Sequence, residues 1–272
     1  MSSADLVTAE APGVRITACN RGAHLMTWTT HGVERLWMSP LSGCGGASAI
    51  RGGVPVLFPQ FGTFGPLAKH GFARTAQWTP LPVTSTAQSA ELSFELTDTP
   101  ETRAVWPHEF HARLAIEASA DTVAMALTVT NVGAETAHFT GGLHTYLAVA
   151  DPQATISGLA GCRCWDGAST QSPHFTEPIE GPIRALDTQD RVMTGPAAQV
   201  VLHDAARGSV RITAEGFANR IVWNPGAGHG LPDVAPGDEA HFVCIEPAVV
   251  EPVALAAGGT WAGRMTLSLS QS

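Results

Sequence analysis

Phe110-His-Ala-Arg-Leu-Ala-Ile-Glu-Ala118 and Val123-Ala-Met-Ala-Leu-Thr-Val-Thr-Asn131, with Ser119-Ala-Asp121 between them, decide the fold class. Apolar side chains return at every second position, at Leu114 and Ile116 in the first run and at Leu127 and Val129 in the second. A period of two puts successive side chains on opposite faces of a strand, whereas a helical stripe would repeat every ~3.6 residues. Two such runs joined by a short link predict a long β-hairpin.

The pattern spreads outward in both directions. Val14 to Cys19 and His24 to Trp28 read as strands, with Thr30-His-Gly-Val33 as the turn before another strand at Glu34 to Met38. Later strands are expected at Gln199 to His203, Ser209 to Thr213, Arg220 to Asn224, Ala240 to Glu246 and Thr260 to Leu269. No helical stripe exceeds about two turns, and no repeat of roughly 20 to 50 residues is visible. The 28 glycines and 19 prolines favour short strands joined by many turns. At 272 residues the chain is long for one domain, yet no low-complexity linker divides it, so one domain over residues 1–272 is expected. The expected fold class is all-β, with two large antiparallel sheets packed face to face.

Fifteen basic residues against 24 acidic ones leave a net charge of −9, which disfavours non-specific attraction to nucleic acid or anionic lipid. An anionic ligand would have to be captured locally. The N-terminus, Met1 to Glu10, has neither the basic nor the apolar region of a secretory signal, and no apolar run reaches the ~18 residues of a membrane span. A cytoplasmic protein, with no membrane or nucleic-acid partner, is expected. Five cysteines, an odd number, predict reduced thiols whose role is packing. Cys162-Arg-Cys164 puts two thiols on one strand face without a second pair at finger-like spacing, so zinc is not expected there. Trp106-Pro-His-Glu-Phe-His111 lacks the H-E-x-x-H spacing and reads as a strand entered from a turn. Nucleotide-binding loops, nucleophile elbows and dinucleotide fingerprints are absent from the sequence, and no cofactor or metal is expected.

One stretch breaks the apolar pattern. Ile50-Arg-Gly-Gly-Val-Pro-Val-Leu-Phe-Pro-Gln-Phe-Gly62, followed by Lys69-His-Gly-Phe-Ala-Arg74, contains two arginines, a histidine, four glycines and the only lysine of the chain, and a fifth glycine, Gly65, lies between the two segments. Guanidinium forks match phosphate oxygens, and glycines let backbone approach a ligand. An anion site is predicted. The segment resembles the hexose-6-phosphate mutarotases (glucose-6-phosphate 1-epimerases) of the aldose 1-epimerase superfamily, which carry R-G-G-[IV]-P-x-x-F-P-x-F-G and a nearby H-G-[FL]-A-R. Leu143-His-Thr-Tyr146, Asp190-Arg-Val192, Val222-Trp-Asn-Pro225 and Cys244-Ile-Glu-Pro247 continue the resemblance in the family's order, across roughly the whole chain.

The resemblance implies the galactose-mutarotase-like β-sandwich, with a cleft over one concave sheet. It also implies interconversion of the α and β anomers of a hexose 6-phosphate, a small-molecule sugar phosphate; separately, a monomer is expected. A proton must leave the C1 hydroxyl and one must reach the ring oxygen, for which a carboxylate and an imidazole suffice. By resemblance Glu246 takes the first proton and His144 supplies the second. Asp190 accepts bonds from sugar hydroxyls, His70 helps hold the ring, and Arg51 and Arg74 bind phosphate. Trp223 would be an apolar floor. Lys69 stands where many relatives carry glutamine, and the Thr170 to Asp187 loop matches no family pattern.

From the residues alone, Glu246 would close its strand at a sheet rim, because Pro247 ends the ladder, and an apolar surrounding would raise its pKa. Alternation puts His144, Tyr146 and Ala148 on one face. Each site residue also has a plainer reading: a solvated rim carboxylate, a hydrogen-bonded core histidine, a capping arginine or a core tryptophan. Two other functions stay open: an aldose 1-epimerase for unphosphorylated sugars, and a carbohydrate-binding protein without catalysis.

Overall fold

The computed structural model describes residues 5–46, 48–166, 174–195 and 197–270. Its centre is the hairpin predicted above. Phe110–Ser119 pairs with Thr122–Asn131 in register from Ser119 opposite Thr122 to Phe110 opposite Asn131. The hairpin lies within a 10-stranded sheet, flanked by Ala90–Thr97 on one side and Thr260–Ser270 on the other. An 8-stranded sheet faces it, running through Gln189–Thr194, Asn219–Asn224, Phe242–Leu255 and Ala137–Leu143. A 4-stranded N-terminal sheet begins at Leu6–Ala11. The only α-helix among the described residues, Pro100–Val105, is capped by Thr99 and ends at Trp106, ahead of Pro107. The expected antiparallel all-β sandwich is the observed fold.

One hydrophobic core joins the two large sheets. Met125, Leu127, Met265 and Leu267 of one meet Leu143, Val222, Val243 and Ile245 of the other. Alternation then fixes what the far face carries. On Phe242–Leu255, Val243 and Ile245 point into this core, so Cys244 and Glu246 must point away from it, to the opposite face of the 8-stranded sheet.

Two expected strands differ. The strand ending at Glu246 runs on to Leu255, straight through Pro247, so Glu246 is central and not at a rim. Ile245 N–H donates to the Thr145 carbonyl, so the nitrogen two residues on, at Pro247, faces the break between Ala137–Leu143 and Tyr146–Ala148. A proline there costs no ladder bond. Glu34 to Met38 is not a continuous strand: only Val33–Glu34 pairs, followed by single bridges at Leu36 and Met38. The Glu34 carboxylate accepts from the Trp28 and Leu36 amides and from the Thr29 hydroxyl, serving backbone donors that a longer ladder would have served.

The thiol expectation also needs correction. Cys19 and Cys44 form a disulfide with their Cα atoms 5.8 Å apart, whereas Cys162, Cys164 and Cys244 are buried and take no part in it. The pair ties the loop that leads to Arg51 onto the Val14–Cys19 strand. The cysteine count therefore no longer argues for a reducing compartment. No helix among the described residues is long and apolar enough to cross a membrane.

Candidate active site

Register across this face of the 8-stranded sheet gathers the site. Asp190 lies opposite Trp223, Trp223 opposite Cys244, and Cys244 opposite Tyr146, making one row over four strands. In the next row Glu246 lies opposite Ile221. His144 occupies the break between two short strands, where its amide donates to the Pro55 carbonyl. The Arg-Gly-Gly stretch threads alongside. Gly53 N–H donates to the Trp37 carbonyl, Val54 N–H to the Leu25 carbonyl and Tyr146 N–H to the Gly53 carbonyl. Gly52 and Gly53 hold positive φ, and a Cβ on either would strike the Trp37 or Leu25 carbonyl, so both glycines are needed for this close threading.

These elements enclose a cavity of about 290 Å³. All seven residues singled out from sequence line it: Arg51, His70, Arg74, His144, Asp190, Trp223 and Glu246. Lys69 joins them from its exposed position, along with Phe61, Gly62, Ile221 and Leu231. The proline-rich Thr170 to Asp187 stretch lies partly outside the described residues.

At the sheet end, His144 Nδ1 and Glu246 Oε1 are 3.4 Å apart without the alignment of a hydrogen bond. Glu246 is 2% exposed and His144 8%. Glu246 Oε2 and His144 Nδ1 are buried with no hydrogen-bond partner, a costly arrangement unless a ligand supplies one. Burial, reinforced by the Asp190 charge, holds the Glu246 carboxyl well above its usual range. Burial, then His70 and the nearby cations, pushes the His144 imidazole well below its own. The two groups are thus driven toward each other in proton affinity. The Tyr146 ring stacks on His144 at 4.7 Å and 5°, and Trp223 meets His144 edge-on at 5.8 Å.

At the loop end the charges are positive. Arg51 Nε donates to Asp233 Oδ2 at 3.0 Å and Nη1 donates to the Tyr146 hydroxyl at 2.8 Å. Burial alone would weaken Arg51 as a cation, but the Tyr146 and Asp233 contacts hold its pKa above the ordinary value. Arg74 donates to the Lys69 carbonyl at 3.0 Å, and burial together with Arg51 lowers its pKa. His70 sits at φ 72, where its Nδ1 accepts from the Gly62 amide at 3.1 Å. That bond requires an unprotonated Nδ1, which puts the ring proton on Nε2 as a donor. Burial, with Arg74, Lys69 and Arg51 nearby, keeps this ring neutral.

Sequence reasoning missed Asp233, which orients Arg51 from 182 residues away and has no local signature. It noted Tyr146 only as a face-mate of His144. The signal available was that this is the only tyrosine of the chain, one strand step from a site histidine.

The aldose 1-epimerase family matches residues 5–268. A protein of Escherichia coli K12 is 34% identical over 90% of this chain and 83% of its own length. One of Cenchrus ciliaris is 30% identical over 91% and 79%. Both bear the name "putative glucose-6-phosphate 1-epimerase". The crystal structure of a "putative mutarotase" from Salmonella typhimurium superposes with a TM-score of 0.86 at 28% identity, covering 98% of this chain and 90% of the other. Galactose 1-epimerase from Lactobacillus acidophilus shares the fold, with a TM-score of 0.76 at 13% identity over 97% and 93% of the two chains. The chain belongs to the aldose 1-epimerase family.

Proposed function

We propose that this protein is a glucose-6-phosphate 1-epimerase, which equilibrates the α and β anomers of a hexose 6-phosphate within one mutarotase-like domain. The observation that carries the reading is one cavity lined both by a buried carboxylate and imidazole 3.4 Å apart and by Arg51, Lys69 and Arg74. Relatives named for glucose 6-phosphate support the substrate class.

Glu246 takes the proton of the C1 hydroxyl as the C1–O5 bond breaks, and His144 delivers a proton to O5. The open aldehyde turns about C1–C2 and recloses with the proton transfers reversed. Burial favours the uncharged forms of both groups, so the working pair of carboxylate and imidazolium forms when the Glu246 proton passes to His144. A phosphate dianion among Arg51, Arg74 and Lys69 offsets the cations that hold His144 down, so substrate binding itself makes the imidazole easier to protonate. Asp190 accepts from sugar hydroxyls, His70 donates through Nε2, and Trp223 packs against the ring. Neither proton transfer requires a cofactor.

The test is polarimetry on freshly dissolved α-glucose 6-phosphate, where the enzyme should speed the decay of rotation and Glu246→Gln should not. Normal turnover by that variant, with sugar-phosphate binding intact, would remove the mechanism.

A further inference from the structure

The Cys244 thiol has no part in the chemistry proposed above. It is fully buried beside Tyr146, Trp37 and Phe242, and burial, followed by the Glu246 charge, keeps it protonated. Yet alternation points it to the same side as Glu246, and its cross-strand neighbour Tyr146 stacks on His144. One ligand atom each from His144, Cys244 and Glu246 lie within 4.8 Å of one another, the only such buried trio among the described residues. Two of the three carry polar atoms with no protein partner, His144 Nδ1 and Glu246 Oε2.

We propose that the cavity is also a zinc site, in which the His144 imidazole, the Cys244 thiolate and the Glu246 carboxylate hold the ion and exclude the sugar. Imidazole, thiolate and carboxylate are the ligand types zinc selects, at ~2.0–2.3 Å. Tetrahedral bonds of that length put ligand atoms roughly 3.3–3.8 Å apart, and the His144 Nδ1 to Glu246 Oε1 pair already stands at 3.4 Å. No separation in the trio exceeds 4.8 Å, so closing to zinc distances takes a contraction of about 1 Å at most. Charge balances as well: thiolate and carboxylate together neutralise a divalent cation, and a neutral imidazole adds none. An uncharged complex suits a buried site that also faces Arg51, Arg74 and Lys69. His144 and Glu246 line the cavity, whereas Cys244 lies buried behind them, so a water completing the coordination would come from the cavity side. Binding displaces the thiol proton and whatever proton Glu246 carries, so affinity rises with pH. The inhibitory consequence rests on the mutarotase reading, whereas the binding itself does not.

Metal-stripped protein titrated with Zn²⁺ by calorimetry should bind one ion, in competition with glucose 6-phosphate. Co²⁺ used as the probe should give a thiolate charge-transfer band in the near ultraviolet. Cys244→Ser should abolish that band and weaken zinc ~100-fold. In chelator the same variant should keep its anomer exchange, which also shows that it is folded; Cys244→Ala serves as a second variant. Absence of binding, absence of the band, or zinc affinity indifferent to Cys244 would each overturn the proposal, the last by pointing to surface histidines. Zinc binding with the band, in a protein that turns over no sugar, would retain the site and discard the epimerase reading.

Discussion

The two ends of the cavity are built by opposite means. Glu246 projects from a central strand, paired with Ile221 on one side and backed by the shared core. Arg51 and Arg74 stand on connecting segments, and their direction depends on individual bonds to Asp233, Tyr146 and the Lys69 carbonyl. Reaction chemistry needs atoms fixed relative to one another, which a sheet provides. Recognition of a phosphate tolerates more variation in its supports, and loops provide that. Tyr146 spans the two, with its hydroxyl on Arg51 and its ring on His144.

The comparison breaks most readily at the sheet end. Glu246→Gln keeps shape and burial but cannot accept a proton, so anomer exchange should fall by ~10³-fold or more while calorimetry finds glucose 6-phosphate affinity changed by only a few-fold. Comparable losses in binding and turnover would mean that the carboxylate serves recognition instead.

Arg74→Ala should separate the ends. Removing a charge-assisted contact costs about 2 kcal/mol, or roughly 30-fold in kcat/KM, for glucose 6-phosphate. Exchange of free glucose should hold steady. An equal drop for both sugars would show that Arg74 supports the fold of the site and not the phosphate.

Tyr146→Phe sharpens the link between them. The ring stack on His144 survives while Arg51 loses one of its two anchors, an effect of about 1 kcal/mol, or ~5-fold, expected mainly in KM for the phosphorylated sugar. A fall confined to kcat would instead assign the hydroxyl to the acid/base step.

The smallest effect concerns stability. The folded pKa of Glu246 lies above its unfolded value, so its contribution is complete below about pH 4.5 and is lost as pH rises through the raised pKa. Glu246→Gln should thus melt at nearly the wild-type temperature at pH 4 and about 2–3 °C higher at pH 8, by calorimetric Tm. A difference that does not change with pH would mean that the carboxylate is not strained by burial.

Much of this molecule is legible in its sequence because alternation is local information. The hairpin from Phe110 to Asn131 and the strand Gln199–His203 need only their own side-chain pattern. Pro247 misleads for the opposite reason: whether a proline ends a strand depends on what its nitrogen faces, and here it faces a gap between two other strands. The Cys19–Cys44 bond is hidden by an odd cysteine count, and Asp233 by distance along the chain. Arg51 and Arg74 stand out as cations in an otherwise apolar stretch, whereas the roles of His70, His144, Asp190, Trp223 and Glu246 could be named only because family motifs mark them. Periodicity puts Glu246 and His144 on particular faces of their strands, but cannot bring those faces to 3.4 Å.

The most direct test of the central claim is NMR saturation transfer between the α and β anomers, on glucose 6-phosphate and on free glucose in parallel, with and without the protein. The account predicts faster exchange for the phosphorylated sugar and little or none for glucose. Equal acceleration of both would detach Arg51 and Arg74 from substrate recognition, and acceleration of neither would contradict the assignment of Glu246 and His144 as an acid/base pair.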